Sequence, residues 1–567
     1  MYSGEEKKSQ TGKYFPVSCL IANLLVIAAS AFWWVSMWRL RNPSPYADDF
    51  DSCLTFLSDW VQTRNPDLLL GVHNESSQLL LRSLVLLNYW LTNKVSFSFL
   101  TACSITTPVI FVLLLGCYLH HRLKLPWRQI GLCLLPVVFL TLQPGTWGSY
   151  LWVTSGLTHG VMPLLMLAGV FAFESRRHFL GISLSFLAFF CGGAGIFFPF
   201  ILLGIYASSQ ARIYRFLFLI GLVALAVVAI LCLALNPLLL KNFREFFGQN
   251  GSFAGMVQYT LAFAGNAVHF QNAALSIASG AAAIMLFALT RPTSAPALFG
   301  VGAITICAGI ASAILRYPGG GLAHALLSRY EVYATSFWAA LYALCLVQFP
   351  HRRKISWVIA TAIAGSVAIT NYVLVPKAIL AHHKLQNRDF VFARFDPTIV
   401  LAEYPPRTAT DGILNRARSL GIFESDPTDF FDSFVERNVP LPQESAPIAY
   451  GIDLAGEDSS FLAVRGWSVI RAREIFVPRK ICLLVSSTEN PSRNFRLCLP
   501  KQKRADAIPL VEPEARSHLG DDFGFSLIFP KALLPAGSYR AGLMLAGKKN
   551  WHLVWLPADI SIKHSEH

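Results

Sequence analysis

The chain has 567 residues, of which 54% are hydrophobic and only 14% charged, with a mean hydropathy of +0.47. A soluble domain is nearer about 25% charged, so this composition excludes a wholly soluble protein. The net charge of +14 does not point to nucleic acid, because the basic residues sit in short clusters between apolar segments and form no binding stripe.

Residues 14–38 form the first apolar segment. It is too long for a signal-peptide core and lacks a small-residue cleavage site, so it reads as a retained anchor. Lys7, Lys8 and Lys13 precede it and hold the N-terminus in the cytoplasm. Asp48-Asp49-Phe50-Asp51 then emerges on the far face, close to the headgroups. Carboxylates at that depth are costly unless solvated, paired or used. Asn42-Pro43-Ser44-Pro45 opens the loop with a turn signal. Phe50, Cys53, Leu54, Leu57, Trp60 and Val61 recur at helical spacing. A second, leucine-rich segment covers residues 76–91 and ends in Tyr89-Trp90. The outer loop, residues 39–94, is therefore expected to hold two helices lying along the membrane surface. His73-Asn74-Glu75 falls between them; Asn74 or Ser76 caps the second helix, or His73 and Glu75 touch substrate. Arg82 is expected as an interfacial anchor.

Eleven spans are expected, near residues 15–38, 95–119, 128–143, 160–174, 179–192, 195–209, 216–236, 270–289, 296–315, 331–350 and 355–375. Basic clusters fall at alternate connections: His120-His121-Arg122, Arg176-Arg177-His178, Arg212 with Arg215, Arg291, and His351-Arg352-Arg353-Lys354. That alternation predicts a cytoplasmic N-terminus and a C-terminal region on the other side. Cys191-Gly192-Gly193-Ala194-Gly195 reads as a tight turn or close helix packing. Trp147, Tyr150, Trp152 and His159 are expected to form an aromatic belt, with sugar stacking as the other use.

Ser328-Arg329-Tyr330 opens a late span on its outer side. An outer arginine opposes the inside-positive bias and needs a partner. Phosphate is one, through bidentate bonds; a salt bridge to Glu331 or a loop aspartate is the other.

Residues 376–445 are charged and broken by prolines, with a helical piece at 410–421. From 446 onward the texture becomes short β-type runs, at 461–469, 480–485, 495–499, 523–529 and 538–545, spaced as in a β-sandwich. Cys482 and Cys498 lie in consecutive runs flanking Asn490-Pro491, where a hairpin brings them together if the compartment is oxidising. Trp467, Tyr539, Trp551 and Trp555 pack the core or offer stacking faces. The expected fold is thus a polytopic α-helical membrane domain over residues 1–375, a mixed helical linker over 376–445, and a β-sandwich over 446–567.

In the Asp-Asp-Phe start of the long first loop, the Ser328-Arg329-Tyr330 turn and the β-rich tail, the chain resembles the GT-C class of integral-membrane glycosyltransferases. The layout over residues 1–375 is similar to bacterial arabinosyltransferases and to enzymes that decorate O-antigen or pilin. The resemblance implies a bacterial inner-membrane enzyme with a periplasmic tail. Its donor is a sugar on a polyprenyl phosphate, and its acceptor an extracytoplasmic glycan or protein. It implies inversion, with Asp48 or Asp49 as general base, Arg329 and Tyr330 at the donor phosphate, and His73, Glu75, Asp51 and His159 near substrate. No cofactor is required; Asp48, Asp49 and Glu75 are the residues that can hold a divalent cation. Two rivals stand beside it. A membrane acyltransferase would need a nucleophile motif that the tail lacks. A lipid-linked sugar flippase or other transporter would need charge at mid-membrane.

Overall fold

The computed structural model describes residues 15–73, 76–209, 252–268, 272–395, 407–424, 427–442, 447–471, 475–490, 492–504, 507–508, 511, 522–547 and 550–562. The chain divides into two compact units. One comprises residues 1–41, 51–376 and 420–422; the other comprises residues 42–50, 377–419 and 423–567.

The first unit is helical. Among the described residues, six stretches are long and apolar enough to cross a membrane: Val17–Arg39, Phe97–Leu123, Val153–Glu174, Pro296–Leu326, Ser328–Gln348 and Pro350–Phe392. Two bent pairs raise the number to eight if each is one crossing: Trp127–Thr141 with Pro144–Tyr150, and Phe253–Val268 with Ala273–Ala288. The expected eleven are not reproduced. Residues 179–209 form two 12-residue helices, His178–Phe189 and Phe198–Ser209, joined through a 3-10 turn at Gly193–Phe197. Each is about 18 Å long, short of a hydrocarbon core of about 30 Å. The expected span at 216–236 lies outside the described residues, as do Lys7, Lys8 and Lys13.

Exposure separates the helices by role. Val17, Leu20, Leu24 and Ile27 on the first helix are exposed, as are Ile355, Val358, Ile359 and Ile369 near the end of the unit. Such apolar stripes suit lipid and would aggregate in water, as expected of helices that lie in a membrane. In contrast, Ser328–Gln348 is largely buried, so this helix is central. Small residues let the helices close up. A side chain on Gly265 would collide with the Ser276 carbonyl, and one on Gly280 with the Leu261 carbonyl. Ser276 Oγ donates to the Ala262 carbonyl across the same contact at 2.7 Å.

The last long helix, Arg353–Phe392, does not stop near residue 375 as hydropathy suggests. Ile379, Phe390, Val391 and Phe392 are buried beyond it. Val391 and Phe392 enter the core of the second unit, so packing sustains the helix after its composition turns polar.

The remainder of the second unit is largely antiparallel sheet. A short hairpin, β1 (Val72–His73) with β2 (Ser76–Ser77), belongs to the first unit. Strands β3 (Glu436–Arg437), β4 (Ile448–Glu457), β5 (Phe461–Arg471), β6 (Ile475–Phe476), β7 (Lys480–Ser487), β8 (Asn494–Leu499), β9 (Gly524–Pro530), β10 (Gly537–Ala546) and β11 (Trp551–Ile562) build the second. One sheet runs β11-β10-β7-β8-β3; in the other, β4, β6 and β9 all pair with β5. Leu483, Val485, Leu497 and Leu543 of the first sheet share a core with Phe461, Phe525 and Leu527 of the second. Cys482 and Cys498 are register partners on β7 and β8 and form a disulfide.

Candidate active site

The aspartate pair belongs to the second unit. Asn42 and Ser44 carry its turn. Asn42 Nδ2 donates to Gln386 Oε1 at 3.0 Å, Asn387 Nδ2 donates to Asn42 Oδ1 at 2.9 Å, and Ser44 Oγ donates to Asn387 Oδ1 at 2.7 Å. Proline at 43 and 45 limits the chain between these bonds. Ala47 then sits at φ 47°, a left-handed conformation that a non-glycine residue adopts at a cost of about 1–3 kcal/mol. The strain reverses the chain. The Asp49 N–H reaches the Tyr46 carbonyl at 3.0 Å, and the Tyr46 N–H donates back to Asp49 Oδ2 at 3.1 Å. Tyr46 packs edge-on against His382 at 5.7 Å.

The two carboxylates therefore differ. Asp49 is 2% exposed and holds the turn with its own oxygen. Asp48 is half-buried. Asp51 lies in a different element, the π-helical turn Phe50–Thr55, and accepts the Thr55 hydroxyl at 3.3 Å. The helix Phe56–Thr63 continues it, with Phe50, Cys53, Leu54 and Leu57 buried as their spacing predicts.

His73 lies on β1, paired with Ser76; Glu75 falls outside the described residues. The hairpin replaces the expected cap, and the following helix is Leu79–Thr92, preceded by Gln78. Arg82 is not an interfacial anchor. It is 7% exposed, and its guanidinium donates to the carbonyls of Leu68 at 2.6 Å and Gly71 at 2.5 Å. A cation buried on two carbonyls organises the loop rather than meeting lipid. Burial lowers its pKa from the ordinary arginine value, opposed by the nearby Cys53.

Arg329 belongs to the first unit, in the 3-10 turn Ser328–Tyr330 that precedes the central helix Glu331–Gln348. Gly148 makes room for this turn: an added side chain would meet Ser328 Oγ at 2.2 Å and the Arg329 nitrogen at 2.9 Å. Ser149 Oγ donates to the Ser328 carbonyl at 2.9 Å. The half-buried guanidinium lies 5.4 Å from the Trp152 ring centre and 5.0 Å from that of Tyr330. Among the described residues Arg329 has no acidic partner, and its buried Nε has no acceptor. The salt bridge to Glu331 does not form. Glu331 is 2% exposed and accepts the Gln143 amide at 2.8 Å.

His159 stands in the same neighbourhood. Its ring is 5.6 Å from Tyr330 and 6.0 Å from Tyr333, and its Nδ1 is 3.4 Å from the Tyr333 hydroxyl. Phe263 packs on both tyrosines, at 5.5 and 5.6 Å. Tyr150 is buried edge-on against Trp33. Of these aromatics, Trp152 lies beside Arg329, His159 packs on Tyr330 and Tyr333, and Tyr150 is buried away from them on Trp33.

The structure thus brings Arg329, Tyr330 and His159 together, and separately seats Asp48 and Asp49 on one strained turn. Among the described residues no three His, Cys, Asp or Glu side chains are grouped as for a metal ion. Comparison with protein families, curated proteins and solved structures finds no match. Sequence reading missed Trp152 as a wall for Arg329, Gln143 as the partner of Glu331, and Asn387 as the anchor of the aspartate turn. Polar residues beside apolar runs were the only signal for the last two.

Proposed function

We infer that the chain is a membrane glycosyltransferase of the GT-C kind, moving a sugar from a polyprenyl-phosphate donor to an extracytoplasmic acceptor. The observation that carries this reading is Arg329: a half-buried guanidinium between aromatic rings, with no acidic partner among the described residues. Such a group suits a phosphate, since arginine binds its oxygens in a planar fork. In the proposed reaction the acceptor oxygen bonds to the anomeric carbon as the carbon–oxygen bond to phosphate breaks. The transition state resembles an oxocarbenium ion. Negative charge grows on the departing lipid phosphate, where a fixed cation acts best.

The acceptor hydroxyl proton goes to a carboxylate. Asp48, half-buried, is the more accessible of the pair, while Asp49 is buried in the turn. Trp152 and His159, both half-buried, offer faces for a sugar ring. Glu331 begins its helix, and Gln143 lies at the bend between Trp127–Thr141 and Pro144–Tyr150.

The test is transfer of radiolabelled sugar from a polyprenyl-phosphate donor by the purified chain in proteoliposomes. Labelled product in the acceptor fraction that is absent with Arg329→Ala is the expected result. Movement of the intact labelled donor across the bilayer without transfer would replace this reading with the flippase.

A further inference from the structure

The second unit contains a cleft that the transferase reading does not use. It has a volume of about 640 Å³ and is lined by Lys377 and Lys384 from the long helix, Arg479 and Lys480 at the start of β7, Lys501 beyond β8, and Glu436 of β3. Five cations thus converge from three parts of the chain on one concavity. Two of the six charges are already matched. Glu436 pairs with Arg496, and Lys501 pairs with Asp522 at 2.9 Å. Lys377, Lys384, Arg479 and Lys480 have no ion-pair partner among the described residues. Scattered surface lysines need no explanation, because water solvates each. Four unmatched cations around one cleft repel one another, and that arrangement favours an anion which neutralises several at once.

The floor of the cleft narrows the choice. Lys384 Nζ sits 3.7 Å over the Phe434 ring, and Leu380, Val435 and Leu499 complete an apolar base. Lys377 is also the first charged residue after the apolar stretch at 355–376. A cationic rim over an apolar floor, at the point where a lipid-compatible helix turns polar, matches an amphiphile with a phosphate head.

We propose that this cleft binds the phosphate of an anionic lipid headgroup, with Lys377, Lys384, Arg479 and Lys480 as its ligands. The proposal does not depend on glycosyl transfer. Basic pockets beside spanning helices bind anionic headgroups through the same charge-assisted bonds.

The experiment uses the full-length chain in a neutral detergent. It is titrated with short-chain phosphatidylglycerol, short-chain phosphatidylcholine and inorganic phosphate, with binding read by thermophoresis. Saturable binding of phosphatidylglycerol that weakens with salt is expected, at least about tenfold tighter than phosphatidylcholine. Lys384→Gln with Lys480→Gln should weaken phosphatidylglycerol binding by about tenfold or more with the unfolding temperature unchanged. If the double variant does not fold, the exposed Lys480→Gln alone should still weaken binding. Equal binding of both lipids, or an affinity unaffected by these substitutions, overturns the proposal. Inorganic phosphate binding as tightly as phosphatidylglycerol overturns the lipid assignment in favour of a soluble phosphate.

Discussion

The Gln143 side-chain amide donates to the Glu331 carboxylate at 2.8 Å, and both residues are buried. Asn371 Nδ2 donates to Gln143 Oε1 at 2.6 Å, so three side chains from three segments form one chain of bonds. This network satisfies the only acid adjacent in sequence to Arg329 and leaves the arginine available. Removing the middle member should be the most damaging change. Gln143→Leu leaves a buried carboxyl oxygen without its donor, which costs about 1–3 kcal/mol. Glu331→Gln keeps an acceptor and should cost less. Thermal unfolding in detergent checks the order; equal Tm values for both variants would falsify it.

Arg329→Lys retains charge but loses the fork, and Arg329→Ala loses both. Losing a charge-assisted bond to phosphate costs about 1.5–3 kcal/mol, or roughly 10- to 150-fold in donor use. Steady-state transfer at varied donor concentration should show Ala worse than Lys, with expression retained. Wild-type donor kinetics in Arg329→Ala would remove the residue from the site.

Asp48 and Asp49 should separate by the kind of damage they cause. Asp48→Asn keeps size and removes basicity, so turnover should fall by about 10² to 10⁴-fold with Tm unchanged. Asp49→Ala removes the acceptor of the Tyr46 N–H, so Tm should fall as well. Asp51→Asn should retain most activity, because Asp51 accepts a hydroxyl within its own helical turn. Full activity in both Asp48→Asn and Asp49→Asn ends the proposed mechanism.

At the other end of the first unit, Arg122 Nη2 meets Glu174 Oε2 at 2.7 Å, and Glu174 also accepts the Ala297 N–H at 2.9 Å. Tyr118 hydroxyl lies 3.2 Å from the same carboxylate. Arg122→Met leaves a largely buried charge and should cost about 3–5 kcal/mol. Adding Glu174→Gln should recover part of that loss. A double-mutant cycle by thermal unfolding measures the coupling, and strict additivity would show that the pair is not coupled.

Reporter fusions at Lys354 and Ser565 should report opposite sides of the membrane, with Lys354 cytoplasmic. The basis is the alternation of basic clusters along the sequence. A cytoplasmic signal from both would displace the aspartates from the face where the donor is expected.

The apolar runs made most of the helices long enough to cross a membrane legible, because 20-odd lipid-compatible residues leave few other structures. Alternation and turn spacing did the same for β5, β7, β8, β9 and β10, and the near-symmetric placement of Cys482 and Cys498 about their turn foretold the pairing that forms. The span count was less legible, since the runs at 179–209 are apolar but too short once folded. The hairpin at 72–77 gives no periodic signal, having only two residues in each strand. The far end of Arg353–Phe392 was hidden because burial, not composition, maintains it. Residue types at turns singled out Asp48, Asp49 and Arg329 as candidates. Their partners were not readable, because Asn387 and Gln143 acquire meaning only through contacts distant in sequence.

The bonds from Asn387 to Asn42 and Ser44 also set an order of events during synthesis. The aspartates leave the ribosome within the first tenth of translation, yet the residue that holds their turn follows more than 300 positions later. Until then Ala47 has no such support for its strained backbone. A chain truncated before residue 387 therefore retains both carboxylates and Arg329 but lacks the tether that shapes the aspartate turn. The smallest unit able to hold the aspartate turn includes the helix through Asn387, so the apolar segments alone do not suffice to shape it.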